Sequence, residues 1–147
     1  MSLKAWLAKG ALQAHKPSTK EIAGLLALAD RNLADAGVRG LSAEGRFQFA
    51  YNSALAMATA ALHAAGYRTN SNVPGHHAVT VESLAHSIGV DAAMVRKLDA
   101  FRRKRNRVSY DAPVAVSGKE AAEMLALAAQ LRHDIEAWIR AKHAALL

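Results

Sequence analysis

The densest chemistry in the chain lies in residues 101 to 111, Phe101-Arg102-Arg103-Lys104-Arg105-Asn106-Arg107-Val108-Ser109-Tyr110-Asp111. Guanidinium groups bind phosphate in bidentate fashion. An amide (Asn106) and a phenol (Tyr110) beside them are suited to fixing a sugar or a base. Arg102, Asn106 and Tyr110 fall at i, i+4 and i+8, so they share one side of a helix that continues that far. The spacing marks Arg102, Arg103, Lys104, Arg105 and Arg107 as candidate nucleic-acid contacts. Arg105, Asn106 and Tyr110 are the candidates for chemistry. The competing reading is a helix C-terminus capped by Arg107, with the tyrosine packed across a bundle.

Two other groups of residues are capable of chemistry. His76-His77 are read as loop residues, with His63 and His86 on helices. Adjacent histidines at a helix start do not point the same way, and no carboxylate sits beside them at ligand spacing. No metal site is therefore expected, and His76 and His77 are kept as accessory candidates. Glu120 and Glu123 open the last helix; the first is read as a cap and the second as solvated. There is no glycine-rich phosphate loop, nucleophile elbow or HExxH.

The charge distribution supports the first group. Between Arg96 and Arg107 lie seven basic residues and one acid, a net +6, while the remainder has 12 basic and 11 acidic residues, a net +1. A near-neutral chain with one basic stripe points to an anionic partner.

The 147 residues suit a single domain, 1–147, with 1–17 as an N-terminal helical extension. At 52% hydrophobic residues the chain is not a disordered polyelectrolyte. No run approaches the roughly 18 apolar residues of a membrane span. The absence of cysteine excludes disulfide scaffolds, thiolate zinc sites and thiol catalysis. No export signal is read in Met1 to Gly10, so a cytoplasmic location is expected.

Helices must position these residues. Alanine occurs 34 times, β-branched residues are sparse, and only Pro17, Pro74 and Pro113 interrupt the chain. The pattern predicts an all-α, antiparallel bundle of four to five helices with a short N-terminal helix over about Leu3 to Ala14. No strand is expected. Ser18 to Glu21 reads as a capping box opening a helix that runs to about Ala36. Ser42 caps an alanine-rich helix that Gly66 ends, apolar on so much of its circumference that it must be central. A short helix follows near Val79 to Ile88. Asp91 caps the basic helix, whose core stripe is Val95, Leu98 and Phe101. Ser117 to Glu120 is a second capping box, opening the final helix to about Leu146.

Three stretches, taken in order, resemble the HEPN domain family, small helical domains of higher eukaryotes and prokaryotes associated with nucleotide binding. They are Arg46 to Ala54 running on to Ala64-Ala65-Gly66-Tyr67-Arg68; Gly75-His76-His77 with Ser83-Leu84 after it; and Arg105 to Asp111 with the capping box and long helix that follow. Together they cover about residues 18 to 140. The resemblance implies a bundle that commonly forms a homodimer. It also implies a motif of Arg, a polar residue and, about five positions after the Arg, a His, used by metal-independent RNases. These are often toxins partnered by a nucleotidyltransferase-like antitoxin. Arg105 and Asn106 match the motif; Tyr110 stands where the His would be. Imidazole exchanges a proton near neutral pH, whereas a phenol, with an ordinary pKa of about 10, does not. The expectation is therefore an RNA- or nucleotide-binding domain, dimeric, cofactor-free and with weak or no nuclease activity. The alternatives are an active metal-independent endoribonuclease of toxin type and an interaction module that binds an acidic nucleotidyltransferase-like partner.

Overall fold

The protein is described from a computed structural model covering residues 2–72, 75–110 and 116–147, for 108–110 the backbone alone. It is an all-α bundle with one small ribbon. The helices are α1 (Leu3–Ala8), α2 (Thr19–Ala36), α3 (Ala43–Ala64), α4 (His76–Glu82), α5 (Leu84–Ser87), α6 (Ala92–Tyr110) and α7 (Gly118–Lys142), and a 3-10 turn spans Ala144–Leu146. None of the described helices is long and apolar enough to cross a membrane.

α3 is the centre of the domain. It packs mainly on α2 and α7, and its remaining sides meet α4, α5 and α6. Alanines at 50, 54, 58 and 61 are buried on it, and their short side chains let neighbouring helices approach closely. The breadth of its apolar surface is thus used within one chain. Contacts fix α2 and α3 as antiparallel: Arg46 Nε donates to the Ala36 carbonyl at 2.9 Å near their shared loop, and Ser53 Oγ donates to the Ala29 carbonyl at 2.9 Å further along. Ion pairs tie α6 to the start of α7, Lys97 to Glu123 and Lys104 to Glu120. Leu98 and Phe101 of α6 enter the core, where Phe101 meets Phe47 edge to face with ring centroids 5.5 Å apart. Val95, expected in the same stripe, is only half-buried.

Several sequence expectations are corrected. The first helix ends at Ala8 rather than Ala14. Gly10, at φ 81, turns the chain, and Leu12–Ala14 becomes a strand, β1, paired antiparallel with β2, Tyr67–Thr69. The ribbon exists because Leu12 is buried against Trp6 and Leu62, which is worth roughly 1.5–3 kcal/mol and requires the chain to double back. His76 and His77 lie in the first turn of α4, not in a loop. The helical stretch they open is divided at Ser83, whose buried hydroxyl donates to the Thr80 carbonyl at 2.6 Å.

The two expected capping boxes differ. Ser117 and Glu120 form a complete one: Glu120 N donates to Ser117 Oγ at 3.0 Å, and Ser117 N to Glu120 Oε1 at 3.2 Å. At the start of α2 only the first half forms, Glu21 N donating to Ser18 Oγ at 3.1 Å. The Glu21 carboxylate turns instead to two imidazoles, His15 Nε2 at 2.7 Å and His63 Nδ1. Burial pushes the Glu21 carboxyl up, but the hydrogen bonds from His15 and His63 outweigh it and the net effect is a lowered pKa. Burial also lowers His63, against the pull of Glu21.

Candidate functional site on the basic helix

α6 carries the basic stripe, and its helical backbone continues through Tyr110, so the i, i+4, i+8 register of Arg102, Asn106 and Tyr110 is kept. The Tyr110 side chain and all of Asp111 and Pro113 lie outside the described residues.

Packing divides the stripe into two classes of cation. Asp99 takes two of them: Arg102 Nε donates to it at 2.9 Å, and an Arg103 terminal nitrogen lies 2.9 Å away. Glu120, the α7 cap, takes Lys104, and Glu123 sits 3.7 Å from Lys97. Glu123 is therefore ion-paired as well as solvated. Among the described residues Arg96, Arg105 and Arg107 have no carboxylate partner. Arg96 and Arg107 are exposed, whereas Arg105 is half-buried. The net +6 of the sequence is thus partly neutralised by acids the fold brings to it.

Arg105 has the least ordinary surroundings. Its Nη1 donates to Asn106 Oδ1 at 3.3 Å, while its Nε is buried with no hydrogen-bond partner among the described residues. Its guanidinium carbon lies 5.6 Å from the centroid of the Tyr51 ring, a cation–π contact with the central helix. The Tyr51 hydroxyl is likewise buried and without a partner. A buried unpaired donor costs about 1–3 kcal/mol, so each marks a position where an acceptor would be gained at little cost. Burial raises the Tyr51 pKa, which the positive charges of Arg105 and Arg102 only oppose, so Tyr51 is a neutral phenol.

α4 packs across α6 and brings His77 into the field of the same arginines. Burial lowers the His77 pKa, and His76, Arg105 and Arg102 lower it further. His77 is thus a neutral imidazole at pH 7, able to accept a proton. Its ring meets that of His76 edge to face, at 64° with centroids 4.2 Å apart. Arg105, Asn106 and His77, all sequence candidates, are therefore brought to one region, with Arg102 beside them. Arg103 and Arg107 face outward, and Lys104 is drawn to α7.

Tyr51 is not among the residues that type and spacing single out. The available signal is its hydroxyl, on a residue that falls on the buried side of the helix with Phe47 and Ala54. A groove of about 520 Å³ on another face of α6 is lined by Glu82, His86, Arg96, Asp99 and Arg103 among others. Its mixed charges make it a poorer anion site than the surroundings of Arg105. No carboxylate converges with His76 and His77 among the described residues, so this region offers no metal-ligand set.

Comparison with family models, with curated proteins and with solved structures finds no match for this chain.

Proposed function

We propose that the chain is a HEPN-like domain that binds single-stranded RNA or a nucleotide through the surroundings of Arg105. The observation that carries this reading is Arg105 itself: half-buried, without a carboxylate partner among the described residues, its Nε buried and unpaired there while its guanidinium lies against the Tyr51 ring. A phosphate oxygen would accept from that Nε, Asn106 would assist, and the exposed Arg103 and Arg107 would hold flanking phosphates. A salt titration of single-stranded RNA affinity tests it. Three neutralised phosphates give a slope of log affinity against log salt of about −2. Arg105→Ala is expected to weaken binding more than Arg103→Ala, whose guanidinium is already shared with Asp99. Absence of binding at low salt overturns the proposal.

A second reading, a metal-independent endoribonuclease, is favoured by His77. The family motif would place an imidazole where Tyr110 stands. His77 is a neutral imidazole near Arg105 and Arg102 and would act as the general base, with Arg105 stabilising the charge that develops on phosphate. RNA cleavage in EDTA that is lost in both His77→Ala and Arg105→Ala supports it; intact RNA after prolonged incubation rejects it. Both readings include a homodimer, tested by sedimentation, and the first allows an acidic nucleotidyltransferase-like partner, tested by co-purification at low salt.

A further inference from the structure

The Glu21 carboxylate and its two imidazoles come from three separate parts of the chain. His15 follows β1, and its backbone N–H donates to the Gly66 carbonyl at 2.9 Å, extending the ribbon. Glu21 lies in the first turn of α2, held by the Ser18 cap. His63 lies in the last turn of α3. Each is thus carried on, or directly beside, a regular element, so their convergence is set by the bundle and not by one loop.

The ligand-type atoms face one another. His15 Nε2 lies 2.7 and 2.8 Å from the two Glu21 oxygens, and His63 Nδ1 is hydrogen-bonded to Glu21 Oε1. One nitrogen from each ring and one carboxylate oxygen all lie within 4.8 Å of one another. The rings are tilted at 53°, with centroids 4.7 Å apart, so both nitrogens point to the carboxylate without stacking. The three side chains are 21%, 26% and 19% exposed, sheltered but open to exchange with solvent.

We propose that His15, Glu21 and His63 bind one divalent transition-metal ion of borderline softness, such as Zn²⁺. Two imidazoles and one carboxylate suit that class and not Mg²⁺ or Ca²⁺, which prefer oxygen ligands. Ligands about 2.0–2.2 Å from a tetrahedral centre stand about 3.4 Å apart, so side-chain rotations of about 1 Å convert the hydrogen-bonded cluster into a ligand set. On binding, the proton on each facing ring nitrogen moves to the other nitrogen of its ring, and the lone pair it leaves goes to the ion. Three protein ligands leave at least one position for water. The ion would also clasp the N-terminal ribbon to the corner of α2 and α3. This proposal is independent of the RNA reading.

The test uses the full chain, without a histidine tag, stripped with chelator and titrated calorimetrically with Zn²⁺ at pH 7.5. One ion per chain is expected, with a rise in Tm, and Co²⁺ is expected to give visible absorption. His15→Ala, His63→Ala and the near-isosteric Glu21→Gln are each expected to lower affinity at least tenfold, while the His76→Ala/His77→Ala pair leaves it unchanged. Should the alanine variants fail to fold, Glu21→Gln and the histidine ring signals of wild type in NMR decide: Zn²⁺ must perturb His15 and His63 first. No uptake at tens of micromolar Zn²⁺, uptake unchanged in Glu21→Gln, or perturbation centred on other histidines overturns the proposal.

Discussion

Two helices of this protein begin with nearly the same four residues, Ser18-Thr19-Lys20-Glu21 and Ser117-Gly118-Lys119-Glu120. In both, the serine hydroxyl accepts from the glutamate N–H three residues on, at 3.1 and 3.0 Å. In only one does the glutamate answer. Glu120 closes its box and also takes the Lys104 ammonium. Glu21 leaves its box open and accepts from His15 and His63. A reciprocal cap hydrogen bond is worth about 1 kcal/mol, so Glu120, whose Lys104 partner sits on its other oxygen, keeps it, whereas Glu21, facing two imidazoles, does not. What the tertiary structure sets beside a first-turn carboxylate therefore decides whether it serves as a cap, an ion-pair partner or a ligand.

Substitutions can pull the two helix starts further apart. The largest expected effect comes from Leu12→Ala. Leu12 is 1% exposed beneath the ribbon that carries His15, so truncation should cost about 2–5 kcal/mol. It should loosen the imidazoles around Glu21 while leaving the α7 cap intact. Denaturant unfolding gives the stability change. Histidine NMR signals show whether the loss is confined to the first site.

Next come the serines. Ser117→Ala removes a reciprocal cap and should cost about 1–2 kcal/mol, whereas Ser18→Ala should cost about 1 kcal/mol or less. Double-mutant cycles sharpen the contrast. Ser117 and Glu120 should show coupling, and Ser18 and Glu21 almost none, because their side chains do not share a reciprocal bond. Equal coupling at both sites would contradict the geometry described above.

The smallest effect is in pH dependence. The Lys104 hydrogen bond, followed by the backbone bond from Ser117, lowers the Glu120 pKa. A carboxyl lowered on folding stabilises the fold at pH values above its unfolded pKa of about 4.3, and that stability is lost as the pH falls through the folded value. Lys104→Met should therefore flatten the acid limb of a plot of Tm against pH by a small amount, since Glu120 is about one-third exposed.

Much of the architecture was legible in the chain. Ser42, Asp91 and Ser117 cap the helices they were expected to cap, and Gly66 adopts the left-handed conformation, φ 99, just past α3. These are interactions over three or four residues, and they act wherever the segment lies. The ribbon was not legible, because each strand has three residues and its partner lies across two helices. The site on α6 was legible in part. Arg105 and Asn106 announce themselves by type and by resemblance, but Tyr51 and His77 reach Arg105 only because α3 and α4 pack on α6.

By itself, then, the sequence determined the all-α class, the capped starts of α2, α3, α6 and α7, and the concentration of positive charge on one helix, all set by local hydrogen bonding, propensity and composition. Only the tertiary structure decided which of those charges keep a partner and which do not. It also decided that Glu21, 42 residues from His63 in the chain, would face two imidazoles instead of its own cap. The physical reason is that a carboxylate or a guanidinium has several partners of similar strength. The choice among them is made by whichever partner the packed helices bring within about 3 Å.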